Sequence, residues 1–223
     1  MNKNNPIEDL QEIRKMMEGS SKFLSLSGLS GISAGLMALI GAWFAWTEIV
    51  HFEKTYMINY LAGAGKQAEK DLLVSLGLIA FGVLVTALSF GFLFTWLKAK
   101  KQGLSLRTPL SFRLLRSLIA PLFFGGCFVL IEAKHGYFEL IIPSTLIFYG
   151  LALLNASKYV HVDIKFLAVS EMIVGLITFW FLDFTNTMQE NATMMLVLWA
   201  FGFGILHILY GTIMYFRYEY KKS

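Results

Sequence analysis

The chain has 223 residues, 56% of them hydrophobic and only 15% charged, with a net charge of +4. Soluble domains carry about 25% charged residues, so this composition points to lipid rather than water as the main solvent. The single cysteine, Cys127, excludes an intramolecular disulfide and a cysteine-cluster metal centre.

Residues 1–22 read as a cytoplasmic N-terminal segment built on a short amphipathic helix over 5–20. Asn5 suits its cap, Pro6 its first helical position, and Glu8 and Asp9 complement its dipole. Ile7, Leu10, Ile13 and Met17 fall near one face, as in a helix lying on a membrane surface or on a bundle. The segment mixes acids and bases and lacks a cleavage site, so the first apolar span is expected to be retained.

Six apolar stretches come next, at 23–47, 72–97, 114–132, 137–156, 165–184 and 194–216. Each is long enough to cross a ~30 Å hydrocarbon core as a helix. The fold class is therefore all-α integral membrane, with six transmembrane helices in one bundle over 23–216 and a tail at 217–223. The third and fourth stretches are joined only by Ala133-Lys134-His135-Gly136, a tight helical hairpin. The connection 48–71 holds Gly63, Gly65 and mixed charges, and reads as a surface loop with room for a helical turn.

Charge sets the orientation. With the N-terminus in the cytoplasm, fifteen Lys and Arg fall inside, and four (Lys54, Lys66, Lys70, Lys134) fall outside. That is a positive-inside bias with both termini cytoplasmic. The expected partners are membrane lipids, with anionic headgroups at the loop 98–116, where Lys98, Lys100, Lys101, Arg107, Arg113 and Arg116 gather. Topology accounts for these bases, so no nucleic acid is expected to bind. Trp43, Trp46 and Trp180 mark the outer boundary, and Trp96, Tyr215 and Tyr218 the inner one.

The second and sixth stretches align without gaps. Leu76, Leu78, Ala80-Phe81-Gly82 and Gly91 match Leu196, Leu198, Ala200-Phe201-Gly202 and Gly211. A repeated helical hairpin, spans one and two recurring as five and six, would explain this; so would biased composition.

Small residues form ridges on the first span: Ser27, Gly31 and Gly35, and beside them Ala34 and Ala38. Such stripes let helix backbones approach closely, either inside one bundle or in a homodimer. Two ionisable residues lie deep in spans. Glu171 is ~9 Å past Lys165, and His207 is ~15 Å before Arg217, at 1.5 Å per residue. Ala168, Glu171, Gly175 and Thr178 share one face; Ala200, Gly204, His207 and Gly211 share another. An intramembrane carboxylate demands a partner, and each of the two is the natural partner of the other, either as a proton- or cation-binding pair or as a hydrogen-bonded staple. Near the outer surface His51, Glu53, Glu132, His135 and Asp183 are candidate metal ligands by type, but their spacing has no motif character and a solvated rim is the simpler reading. Pro121 frees the carbonyl of Ser117 in the third span, and Pro143 lies early in the fourth.

No phosphate loop, nucleophile elbow, His-Glu-x-x-His or dinucleotide fingerprint is present, so no enzyme and no cofactor are expected. The segments Met16–Gly28, Tyr149–Tyr159 and Gly202–Gly211 together resemble a group of uncharacterised bacterial six-span inner-membrane proteins. The resemblance implies six spans and a bacterial cytoplasmic membrane, and carries no activity or site residue with it. The expected function is that of a small solute or ion transporter, or channel-like protein, with a polar site in the inner half of the bundle. The alternative is a structural or regulatory membrane protein acting through helix packing and partner contacts.

Overall fold

The structure, a computed structural model, describes residues 27–103, 105–182 and 188–220, together with Leu10. The described residues form six helices and no strand. These are α1 (Gly28–Leu61), α2 (Gly65–Lys101), α3 (Pro109–His135), α4 (Phe138–Ala156) and α5 (Ile164–Trp180). The last, α6, runs without interruption through Met188–Trp199, Ala200–Leu206, His207–Met214 and Tyr215–Glu219, and its second and fourth sections are π-helical. The amphipathic segment expected at 5–20 lies outside the described residues except for exposed Leu10.

Five helices, α1 to α4 and α6, are long and apolar enough to cross a membrane. This is the pattern of a multi-pass membrane protein. The fifth predicted stretch, 165–184, forms a shorter helix of 17 residues ending at Trp180.

The connection 48–71 is not a loop. Helices α1, of 34 residues, and α2, of 37, both extend into it, broken only at Ala62–Ala64, where Gly63 takes φ 73°. The charges of Glu48, Glu53, Lys66 and Glu69 end the apolar runs but not the helices, because none of these residues opposes helical backbone. At 1.5 Å per residue the two helices are about 50 Å long, longer than a ~30 Å hydrocarbon layer is thick. Ile49, Phe52, Leu72 and Ala192 close its base as an apolar cluster. The other hairpin is tighter than predicted. Helix α3 runs to His135, and Gly136, at φ 79°, reverses the chain.

The helices alternate between two ends. One end holds the Gly63 and Gly136 turns (the hairpin end). The other gathers Ser27, Lys98, Asp163 and Glu219 (the basic end). Helix α1 packs on α2 and along α6; α4 packs on α3, α5 and the first section of α6. Helices α2 and α3 therefore lie at the edges, and α1, α4 and α6 form the middle.

Glycine sets the closest approach in that middle. A Cβ at Gly31 would lie 3.0 Å from Gly211 Cα, one at Gly35 2.5 Å from Gly204 O, and one at Gly211 2.5 Å from Ile32 N. The α1 ridge is thus occupied by α6 of the same chain. On it Ser27 and Ala38 are each 3% exposed, while Ala34 is half-buried. Helices α4 and α5 meet in the same way at Gly150 and Gly175, opposite the carbonyls of Ala168 and Pro143.

Polar groups tie the ends. At the basic end Glu219 Oε1 accepts from Gly28 N (2.8 Å) and from Lys98 Nζ (2.9 Å), and Oε2 accepts from Ser27 Oγ (3.3 Å). A carboxylate from the end of α6 so caps the positive end of the α1 dipole and pins the end of α2. Tyr218, expected at the inner boundary, is bonded within the protein. Its hydroxyl donates to Asp163 Oδ2 (2.7 Å), beside the Arg217–Asp163 pair at 2.9 Å, and its ring stacks on His161. In α3 the carbonyl that Pro121 frees finds a donor across the helix gap, Asn155 Nδ2, 2.8 Å from Ser117 O.

Candidate functional site

The site is built where α4, α5 and α6 meet. Helix α5 turns Ala168, Glu171 and Thr178 inward, each 0% exposed. Its register is set by the small residues, since Gly175 must face the Pro143 carbonyl. Helix α6 presents Gly204, His207 and Gly211, all buried. The two ionisable residues therefore meet, with His207 Nδ1 3.2 Å from Glu171 Oε1.

The imidazole is held at both nitrogens. Tyr149 of α4 places its hydroxyl 2.8 Å from Nε2, and Nδ1 lies 3.2 Å from the carbonyl oxygen of Gly202. With the proton on Nδ1, the ring donates to Gly202 O and accepts from Tyr149. Glu171 Oε1 is equally near but off the N–H direction: neither carboxylate oxygen has a hydrogen bond among the described residues. The contact is thus an ion-pair distance without hydrogen-bond geometry. The aromatic rings of Tyr149 and Phe203 flank the imidazole at 5.3 and 6.0 Å between centroids.

The π-helical section Ala200–Leu206 runs up to His207. A wide turn shifts the helical register of the residues after it, and such turns are frequent at functional sites. Gly202 lies within it, and a Cβ there would sit 2.8 Å from Glu171 Oε2 and 2.6 Å from Leu146 Cδ2. The absence of a side chain at this position is what leaves the carboxylate its space.

Chemically the arrangement offers one acid and one base, both buried, and one half-buried hydroxyl. A carboxyl group and an imidazole are each chemically able to hold a proton.

Two of these features are not readable along the chain. Tyr149 escapes notice because a tyrosine in a span reads as apolar filler; its position one helix away gives no spacing signal. Gly202 carries a signal, in the matched Ala-Phe-Gly of the second and sixth stretches, but not its role.

The four candidate metal ligands that lie among the described residues do not assemble. No group of three or more His, Cys, Asp or Glu gathers among the described residues. His51 and His135 are exposed and Glu53 half-buried, and Asp183 lies outside the described residues. Glu132 departs from a solvated rim: it is 4% exposed and accepts from Ser144 Oγ at 2.7 Å. No protein-family model matches this chain, and neither a curated protein nor a solved structure does.

Proposed function

We propose that the chain is a proton-linked transporter of ions or small solutes, and that Glu171 and His207 form its proton site in the inner half of a six-span bundle. In this reading α5 is the fifth span. Its 17 residues are ~26 Å of helix, at the short end of what crosses a hydrocarbon core. Both termini lie in the cytoplasm, with the basic end inward, on the strength of the fifteen-to-four distribution of Lys and Arg. The membrane is a bacterial cytoplasmic membrane, as the resemblance implies, and the bases of 98–116 meet anionic headgroups.

One observation carries the proposal. Glu171 is wholly buried, both its oxygens lack a hydrogen bond among the described residues, and an imidazole stands 3.2 Å away. An ionised carboxylate in that state is costly, and a proton relieves the cost. A carboxyl group that its buried surroundings do not satisfy as an anion suits an occluded state of a proton-coupled cycle, in which moving α6 against α5 would expose the site.

The rival reading, a structural or regulatory protein, draws on the same burial, because backbone-close packing of α1 on α6 leaves the pair as a staple. Liposomes separate the two. With an imposed pH gradient and potential, the wild type is expected to carry protons inward and Glu171→Gln to lose that flux while keeping its fold. Equal flux in the two, or none in the wild type, contradicts the transporter reading.

A further inference from the structure

A second acid is buried without an ion-pair partner among the described residues. Glu132 lies on α3, one turn before Gly136, and is 4% exposed. Its Oε1 accepts from Ser144 Oγ of α4 at 2.7 Å, whereas Oε2 has no hydrogen-bond partner among the described residues.

Among the described residues no counter-charge is bonded to it. Among the described helices, α3 packs mainly on α4. The ionisable groups nearest along the two elements are Lys134 and His135, exposed in the last turn of α3, and Glu139, half-buried in the first turn of α4. None of them is bonded to Glu132. A lone carboxylate with one neutral donor and one bare oxygen is the costly state of a buried acid. A carboxylic acid in the same place needs only an acceptor for its proton, and its carbonyl keeps the serine bond.

A metal ion is the poorer occupant. Hard cations take about six to eight oxygen ligands. Here one carboxyl group and one hydroxyl are present, and no third His, Cys, Asp or Glu joins them among the described residues.

We propose that Glu132, held by Ser144, is a second proton-binding site, at the hairpin end of the bundle. It stands independently of the Glu171 reading, since its geometry shares no atom with that pair. The two acids lie against the same stretch of α4. Ser144 binds one, and Leu146, two residues on, borders Gly202 beside the other.

The test uses the full chain in lipid, with isotope-labelled glutamate, read by solid-state carboxyl NMR. The resonance that disappears in Glu132→Gln is expected at the carboxylic-acid position at neutral pH. Ser144→Ala is expected to shift that resonance while leaving it in the acid form. Because an amide mimics the neutral acid, Glu132→Gln should also keep the wild-type thermal midpoint. A Glu132 resonance at the ionised position throughout the pH range overturns the proposal, and so does a resonance unmoved by Ser144→Ala. Neither result touches Glu171, whose own resonance is assigned separately with Glu171→Gln.

Discussion

Room for one methyl group at residue 202 decides where the Glu171 carboxylate sits. A Cβ on Gly202 would stand 2.8 Å from Oε2 and 2.6 Å from Leu146, closer than real contacts allow. Gly202→Ala is therefore expected to displace the carboxylate and reproduce the loss of proton flux expected of Glu171→Gln, with the helices still formed by circular dichroism. A second single-residue device is Asn155. Its amide satisfies the Ser117 carbonyl that Pro121 leaves unpaired. Asn155→Ala should lower the stability of the protein in lipid by about 1 kcal/mol, and Pro121→Ala, which restores the internal bond, should recover most of it. The need for such a donor was legible at Pro121; its identity was not, because nothing along the chain links residue 117 to residue 155. The Glu171–His207 contact was legible for a different reason. Each residue shares a helical face with small residues, and a helix face built for contact brings its polar residue along.

At the scale of elements, glycine spacing made two packing faces readable, though not that they meet each other. Gly31 and Gly35 mark a face for close approach, and Gly204 and Gly211 mark another; in the structure these faces meet. Gly211→Ala would press a Cβ to 2.5 Å from backbone that has no way to rotate aside. It is expected to cost about 1–3 kcal/mol, as overpacking does. Gly82 has nothing within 4 Å of its Cβ direction, so Gly82→Ala should leave the unfolding midpoint unchanged or raise it. Equal losses from the two would refute the assignment of the α1–α6 seam. Element ends were far less legible. The apolar runs of α1 and α2 stop where charges begin, but helical backbone tolerates charge, and only Gly63 ends the turn geometry. Hydropathy reads the solvent, not the hydrogen bonding, so it missed the long hairpin. The π-helical turns of α6 have no hydropathy signature either.

For the whole molecule, composition points to lipid rather than water as the main solvent, and alternation of six helices between two ends is a consequence of chain order. Which end faces inward rests on charge, and can be checked with single cysteines in a Cys127→Ser background. Exposed Ala64 and Phe181, at the hairpin end, are expected to react with an impermeant maleimide added to intact cells, and Gln102 only after lysis. Failure of Phe181→Cys to react, with Ala64→Cys reacting, would leave α5 short of crossing and the count at five. The central claim is that Glu171 exchanges a proton inside the bundle. The most direct measurement is the pH-stepped infrared difference spectrum of the protein in lipid, wild type against Glu171→Gln. A carboxylic-acid carbonyl band is expected to appear on acidification in the wild type, to be missing from Glu171→Gln and to move in Tyr149→Phe. Identical spectra for wild type and Glu171→Gln across the pH range would contradict it.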